Sequence, residues 1–277
     1  MLLTRIIYQT KGNNMIIWSL ESTWELVLPP SRPCENQLKI INGYISKLNP
    51  KKICVAILGS TPEFRDLIFE LGIKNTYVFD KSSDFYEKMS TQRVYNNQEQ
   101  YINGDWLYTL RNYKNYFDVV LSDLTAGNID YSNREIFYNL IKDCLKSEGL
   151  FIDKYLSNKY GLISLAEIRE KYSKKPINLR TVNDFSCEAI FCSELQSQTG
   201  IIDTTKIYSQ LSSAFHDNKR LLKFIELSHY ITPNDCVWYY GDSRIKYING
   251  LELISKTTLY KTAYENRAWI YVWKKNK

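Results

Sequence analysis

Four carboxylates stand at or just beyond the ends of short apolar segments in the first half of this 277-residue chain. Glu63 closes the turn 59-GSTPE-63, Asp80 ends 76-TYVFD-80, Asp105 lies in 103-NGDWL-107, and Asp123 ends 117-FDVVLSD-123. A single acid in such a place is commonly a turn residue. Several at neighbouring strand ends of one sheet can together accept hydrogen bonds from a polar ligand lying across those ends. Gly59 permits a tight turn and a close ligand approach to the backbone. Asp80, about 20 residues further on, suits the two hydroxyls of a ribose. Asp105 can accept from an exocyclic amino group, with Trp106 stacking on a ring or packing against the core. Glu63 would repel a phosphate at the start of a helix, and the G-x-G-x-x-G pattern that cradles a pyrophosphate is absent.

The elements that must position these residues follow from hydrophobic periodicity. Leu38, Ile41, Ile45 and Leu48 have helical spacing, and Asn49-Pro50 ends that helix. The run 53-ICVAIL-58 suits a strand buried on both faces. Phe64, Leu67, Ile68 and Leu71 mark the helix after it, with Gly72 as its C-terminal cap. Two starts are open for that helix. Ser60 and Glu63 have capping-box spacing; alternatively Thr61 caps and Pro62 is the first helical residue. Strands are expected at 76–80, 117–123 and 150–156, a short one before Asp105, and helices at 82–90 and 134–146. Such alternation implies right-handed crossovers and a mainly parallel sheet. Residues 160–232 read as mostly helical, with 205–229 the strongest stretch, and 252–264 and 268–275 as an antiparallel hairpin. The expected organisation is an N-terminal arm at 1–34, a core of 35–156 and 236–277, and a helical insertion or lid at 157–235.

Hydrophobic residues make up 44% and charged residues 24%, enough for an ordinary core. No apolar run approaches the roughly 20 residues of a membrane helix, and the N-terminus has too short an apolar stretch for a secretory signal. A cytoplasmic location without membrane contact is expected. Six cysteines without a C-x-x-C pair, beside only two histidines, argue against structural zinc and for buried free thiols. The net charge of +6 concentrates at 159–180 and 246–277, which reads as solvated surface rather than a nucleic-acid face.

In 55-VAILGSTPE-63, 77-YVFD-80, 103-NGDWL-107, 117-FDVVLSD-123, 145-LKSEGLFI-152 and the closing hairpin, the chain resembles the class I S-adenosylmethionine-dependent methyltransferases. The L-G-x-T-P-E form resembles a variant of small bacterial members. Ile57 stands where the family usually has an acid, and 122-SDLTAGN-128 lacks the Asp/Asn-Pro-Pro-aromatic pattern of nucleobase amino methylation. The resemblance implies a Rossmann-like α/β fold with a mainly parallel seven-stranded sheet, a terminal antiparallel hairpin and S-adenosyl-L-methionine as cofactor. It would put the methionine moiety at Gly59, Ser60, Thr61, Pro62 and Glu63, the ribose at Asp80 with Lys81, and the adenine at Asp105 and Trp106. Asp123 and Leu124 would lie near the methyl group, with Asp123 the candidate catalytic residue, and Arg32 would meet a carboxylate of cofactor or acceptor. The expected reaction is in-line methyl transfer to a small molecule or short peptide. An inactive binding module, an RNA-modifying methyltransferase and, more distantly, a nicotinamide oxidoreductase are the alternatives. His216 and His229, in the helical insertion, read as surface or packing residues.

Overall fold

The computed structural model describes residues 24–96, 99–156, 161–196, 200–232, 236–239, 248–259 and 268–276. The backbone divides into two compact units, one of Met1–Leu28 with Gly161–Val237, the other of Pro29–Tyr160 with Trp238–Lys277. The second carries the sheet. Its elements are α1 (Glu35–Ile45), β1 (Cys54–Leu58), α2 (Pro62–Glu70), β2 (Asn75–Asp80), α3 (Ser83–Ser90), β3 (Gln100–Asn103), β4 (Phe117–Asp123), α4 (Arg134–Cys144), β5 (Leu145–Leu156), β6 (Leu251–Thr258) and β7 (Ala268–Lys275).

The seven strands lie in the order β3-β2-β1-β4-β5-β7-β6. The first five are parallel neighbours. β7 enters antiparallel beside β5, and β6 pairs antiparallel with β7. Every residue of β1 is buried, as a central strand covered on both faces requires. Thr61 is the N-cap of α2 and Pro62 its first residue, which settles the open choice. Ser60 is not a capping hydroxyl, because it is used elsewhere. Gly72 follows the helix with φ +71, a conformation that favours glycine. α1 ends at Ile45, one turn before Leu48, where Ser46 closes the helix through Asn42 O. β5 begins at Leu145, five residues earlier than expected, because Leu145 already pairs with Phe117; the register then shifts before Val119 meets Leu150. The turn between β6 and β7, including Glu265, Asn266 and Arg267, lies outside the described residues.

The other unit holds α5 (Leu165–Ser173), α6 (Leu179–Phe191), α7 (Thr204–Ala214) and α8 (Lys219–Ser228). The helical stretch expected over 205–229 is two helices, broken where the Asn218 side chain accepts from the N–H groups of Arg220 and Leu221 and starts α8. Tyr172, Phe185 and Phe224 form its aromatic centre, with centroids 5.1–5.4 Å apart. His216 is exposed, and His229 stacks on Tyr208. Among the described residues no helix is long and apolar enough to cross a membrane. All six cysteines are free; Cys54, Cys144, Cys187 and Cys192 are buried, whereas Cys34 and Cys236 are half-buried.

Two buried charged groups in the sheet-bearing unit have measurable consequences. Arg65 on α2 is 1% exposed; it donates to Glu99 Oε1 at 2.7 Å and to Ser90 Oγ at 2.7 Å, and its guanidinium lies over the Tyr86 ring. Arg93 reaches the other Glu99 oxygen at 3.2 Å. Removing one member strands a desolvated charge. Arg65→Ala is expected to lower the unfolding free energy by about 3–5 kcal/mol in urea titrations; a loss below about 1 kcal/mol, the scale of an exposed ion pair, would contradict the buried network.

Asp153 in β5 is fully buried, and neither carboxyl oxygen has a hydrogen-bond partner among the described residues. Burial pushes its pKa up to about 7; the nearby Ser122 and Tyr155 hydroxyls oppose the shift without reaching full bonding geometry. The folded protein therefore holds this proton more tightly than the unfolded chain. Its stabilising contribution is complete below the unfolded pKa of about 4 and is lost as pH rises towards about 7, a linkage on the order of 4 kcal/mol. Thermal unfolding across that window should show a falling component in the wild-type protein that Asp153→Asn lacks. Identical slopes for the two proteins would show that the group titrates normally.

Candidate functional site

The site is built by strand register. Asp80 pairs with Asn103, and Leu58 pairs with both Phe79 and Ser122, so Gly59, one residue on, falls between Asp80 and Asp123. Asp123 in turn pairs with Lys154. Gly59 continues the ladder by donating its N–H to Phe79 O at 2.8 Å. Asn103, Asp80, Gly59, Asp123 and Lys154 thus form one row across five parallel strands at their C-terminal ends. Residues in one row share a face of the sheet. The two acids stand two strand spacings apart, roughly 10 Å, with no side chain between them. Gly59 has φ +93, and a Cβ built there meets no atom within 4 Å. The slot between the acids is open.

On one side of the slot, Ser60 Oγ donates to Asp80 Oδ2 at 2.7 Å and Ser82 N donates to Oδ1 at 3.1 Å. These bonds fix the carboxylate and leave each oxygen a further lone pair. The Trp106 indole N–H is tied to Phe79 O at 3.0 Å, and its ring packs against the core. Gly104 has φ +141, and a Cβ there would sit 2.7 Å from Thr109 Cγ2, so the turn after β3 needs glycine. Asp105 caps the helical turn Trp106–Thr109 by accepting from Leu107 N at 2.8 Å; it and Lys81 are exposed.

On the other side, Asp123 Oδ1 receives Lys154 Nζ at 2.7 Å and Gln37 Nε2 at 3.1 Å. Lys154 is wholly buried and also donates to Pro30 O. Leu124, directly after, has φ +61, a costly conformation for leucine that redirects the chain at the strand end. Thr125 Oγ1 ties the following loop to Leu58 O at 3.3 Å. Beside the slot, Arg32 Nε donates to Glu63 Oε1 at 2.8 Å. Arg32 thus has a carboxylate partner within the protein, Glu63. Pro30, Arg32 and Gln37 together pin the segment before and into α1 to the ends of β5, β1 and β4.

The structure thus gathers Gly59, Ser60, Asp80 and Asp123 at one edge and sets Glu63 beside Arg32. It leaves Lys81 and Asp105 exposed at the rim. Sequence reasoning missed Lys154 and Gln37. The signal for Lys154 was there, since 150-LFIDKYL-156 places two adjacent charges in an apolar strand. Gln37 gave none.

No family model and no curated protein matches the chain. Solved structures do. A putative zinc-dependent alcohol dehydrogenase from Rhodobacter sphaeroides is 14% identical with a TM-score of 0.55, over 92% of this chain and 98% of that one. A SAM-dependent methyltransferase from Methanosarcina mazei is 12% identical with a TM-score of 0.51, over 86% and 97%. A putative S-adenosylmethionine-dependent methyltransferase from Listeria monocytogenes is 14% identical with a TM-score of 0.50, over 87% and 97%. At these identities the likeness establishes architecture. The chain has a Rossmann-like fold, with an antiparallel strand beside β5, and that fold is similar to these solved structures.

Proposed function

We propose that this chain transfers a methyl group from S-adenosyl-L-methionine to a small-molecule or short-peptide acceptor. The observation that carries the reading is the open slot at Gly59, flanked by Asp80 and Asp123 on one row of strand ends. Ligands of open parallel sheets bind at such ends, and the slot lies where the strand order reverses. The groups around it suit this cofactor. Glu63, Asp80 and Asp123 outnumber Lys154 and Arg32, so the edge favours a ligand with hydroxyls and positive charge over one with phosphates. That balance, with a single glycine in the turn, also weighs against a nicotinamide dinucleotide.

When bound, the cofactor supplies a methyl carbon activated by a positively charged sulfur. The protein's part is to bind, orient and exclude water. Asp80, prealigned by Ser60 and Ser82, would hold the ribose hydroxyls. Gly59 through Glu63 would face the methionine portion, with Arg32 and Glu63 offering charges opposite to its carboxylate and ammonium groups. Trp106 would border the adenine, with Asp105 and Lys81 at the rim. Asp123 and Leu124 would face the transfer point.

Titration calorimetry with S-adenosylhomocysteine tests the reading without an acceptor. Micromolar binding is expected, and Asp80→Ala should weaken it about 10–100-fold through lost charge-assisted hydrogen bonds. No heat at millimolar ligand, or unchanged affinity in Asp80→Ala, would overturn it.

A further inference from the structure

Lys154 departs from the pattern of the strand that carries it. β5 lies inside the sheet, between β4 and β7, and the Lys154 side chain is 0% exposed. Taking an ammonium out of water is costly, and a buried ion pair is weak evidence for stability. The contacts of Nζ point to another use. Nζ donates to Asp123 Oδ1 at 2.7 Å and to Pro30 O, 124 residues away in the chain. One atom thus joins the row of strand ends to the segment that leads into α1.

That segment starts and finishes on the same ion pair. Pro30 is held by Lys154, and the Gln37 amide donates to Asp123 Oδ1 at 3.1 Å. Between these two ties the chain reaches across to α2, where Arg32 Nε donates to Glu63 Oε1 at 2.8 Å. Pro30–Gln37 is therefore a closed strap. Its base stands on the ends of β4 and β5, and Arg32 meets the first turn of the helix that follows Gly59. Two residues of extended chain span at most about 7 Å, so the tie at Pro30 limits where the Arg32 backbone can sit.

Resting on the methyl-transfer reading, we propose that Lys154 is a positioning residue for the amino-acid end of the cofactor. Wholly buried, it acts through others. Its ammonium fixes the Asp123 carboxylate beside Gly59 and, through the strap, sets Arg32 against Glu63 at the end of the same turn. Asp80 is held by different bonds, from Ser60 and Ser82, and lies on the other side of Gly59. The site has two separately built halves. The ribose half rests on Ser60, Asp80 and Ser82, and the amino-acid half rests on Lys154. Loss of the ammonium loosens the second and spares the first.

Two ligands read the halves separately. Adenosine carries the base and ribose alone, and S-adenosylhomocysteine adds the amino-acid end. Lys154→Met keeps the length of the side chain and removes its charge. Calorimetry on the full chain should show this variant binding S-adenosylhomocysteine at least about tenfold more weakly, the scale of a lost charge-assisted contact, with adenosine within about twofold of the wild type. Where the stranded Asp123 charge prevents folding, Lys154→Met with Asp123→Asn removes both charges. In that background Arg32→Ala should weaken S-adenosylhomocysteine by less than about twofold, against about tenfold in the wild type, because the guanidinium is already out of place. Equal losses for the two ligands in Lys154→Met, or no loss for either, would overturn the positioning role and leave the cofactor reading standing. So would a full Arg32 effect in the doubly substituted protein. Failure of both ligands to bind the wild-type protein would instead remove the methyl-transfer reading on which this role rests.

Discussion

The hydrogen-bonded register of the parallel sheet is the constraint on which the site depends. Five consecutive strand neighbours place Asn103, Asp80, Gly59, Asp123 and Lys154 side by side. No loop has to bring them together. Backbone ladders hold neighbouring strands at a fixed spacing, so the separation of the two acids is set by the strand count between them. The glycine at the midpoint turns that separation into usable space. Any side chain there would project into the slot, and φ +93 would strain it as well. Precision comes from the most rigid part of the molecule, while Asp105 and Lys81, exposed at the rim, sit on turns.

A second constraint acts at the Lys154 end. A fully buried ammonium is tolerated only with close partners, and Lys154 has the Asp123 carboxylate and the Pro30 carbonyl. Both partnerships shape the site. The ion pair and the Gln37 amide both engage Asp123 Oδ1 and fix the orientation of its carboxylate. The bond to Pro30 holds the segment that carries Arg32 and leads into α1, where Gln37 completes the contact. A buried pair of this kind contributes little net stability once desolvation is counted. Its more important effect is geometric, since it fixes which carboxylate oxygen remains available. Arg65 and Glu99 form a buried ion pair as well, and Arg65, on α2, also reaches the Ser60 carbonyl in the Gly59 turn.

Much of this was legible in the sequence, and the limits have physical causes. Apolar strands ending in acids are local patterns, so β1, β2 and β4 and their terminal residues could be read directly. The start of α2 had two consistent local solutions, and only a tertiary bond from Ser60 to Asp80 selects between them. β5 was read too short because its first residues, 145-LKSEG-149, carry no strand pattern and are recruited by pairing with Phe117. The break at Asn218 was hidden because helical periodicity continues on both sides of it. Gln37 was invisible for a deeper reason. A polar residue on a helix reads as solvent-facing, and only the path of the preceding segment turns it inward.

The row beneath the site shows why the register cannot slip. One residue earlier on each strand lie Phe79, Leu58, Ser122 and Asp153, continuing antiparallel to Tyr271. Phe79, Leu58 and Tyr271 belong to the main hydrophobic cluster on the opposite face. Adjacent rows point to opposite faces, so a one-residue shift of β2 would exchange Phe79 for Asp80 on the core face. The apolar row thus enforces the polar row. Asp153 is the exception, an acid on the core face without bonding partners among the described residues, and burial keeps its proton near neutrality instead of expelling the residue. Lys154 and Asp153 are sequence neighbours with opposite surroundings. The alternation of a single strand puts one into an ion pair at the site and the other among the aromatic side chains Tyr155, Tyr271 and Trp273.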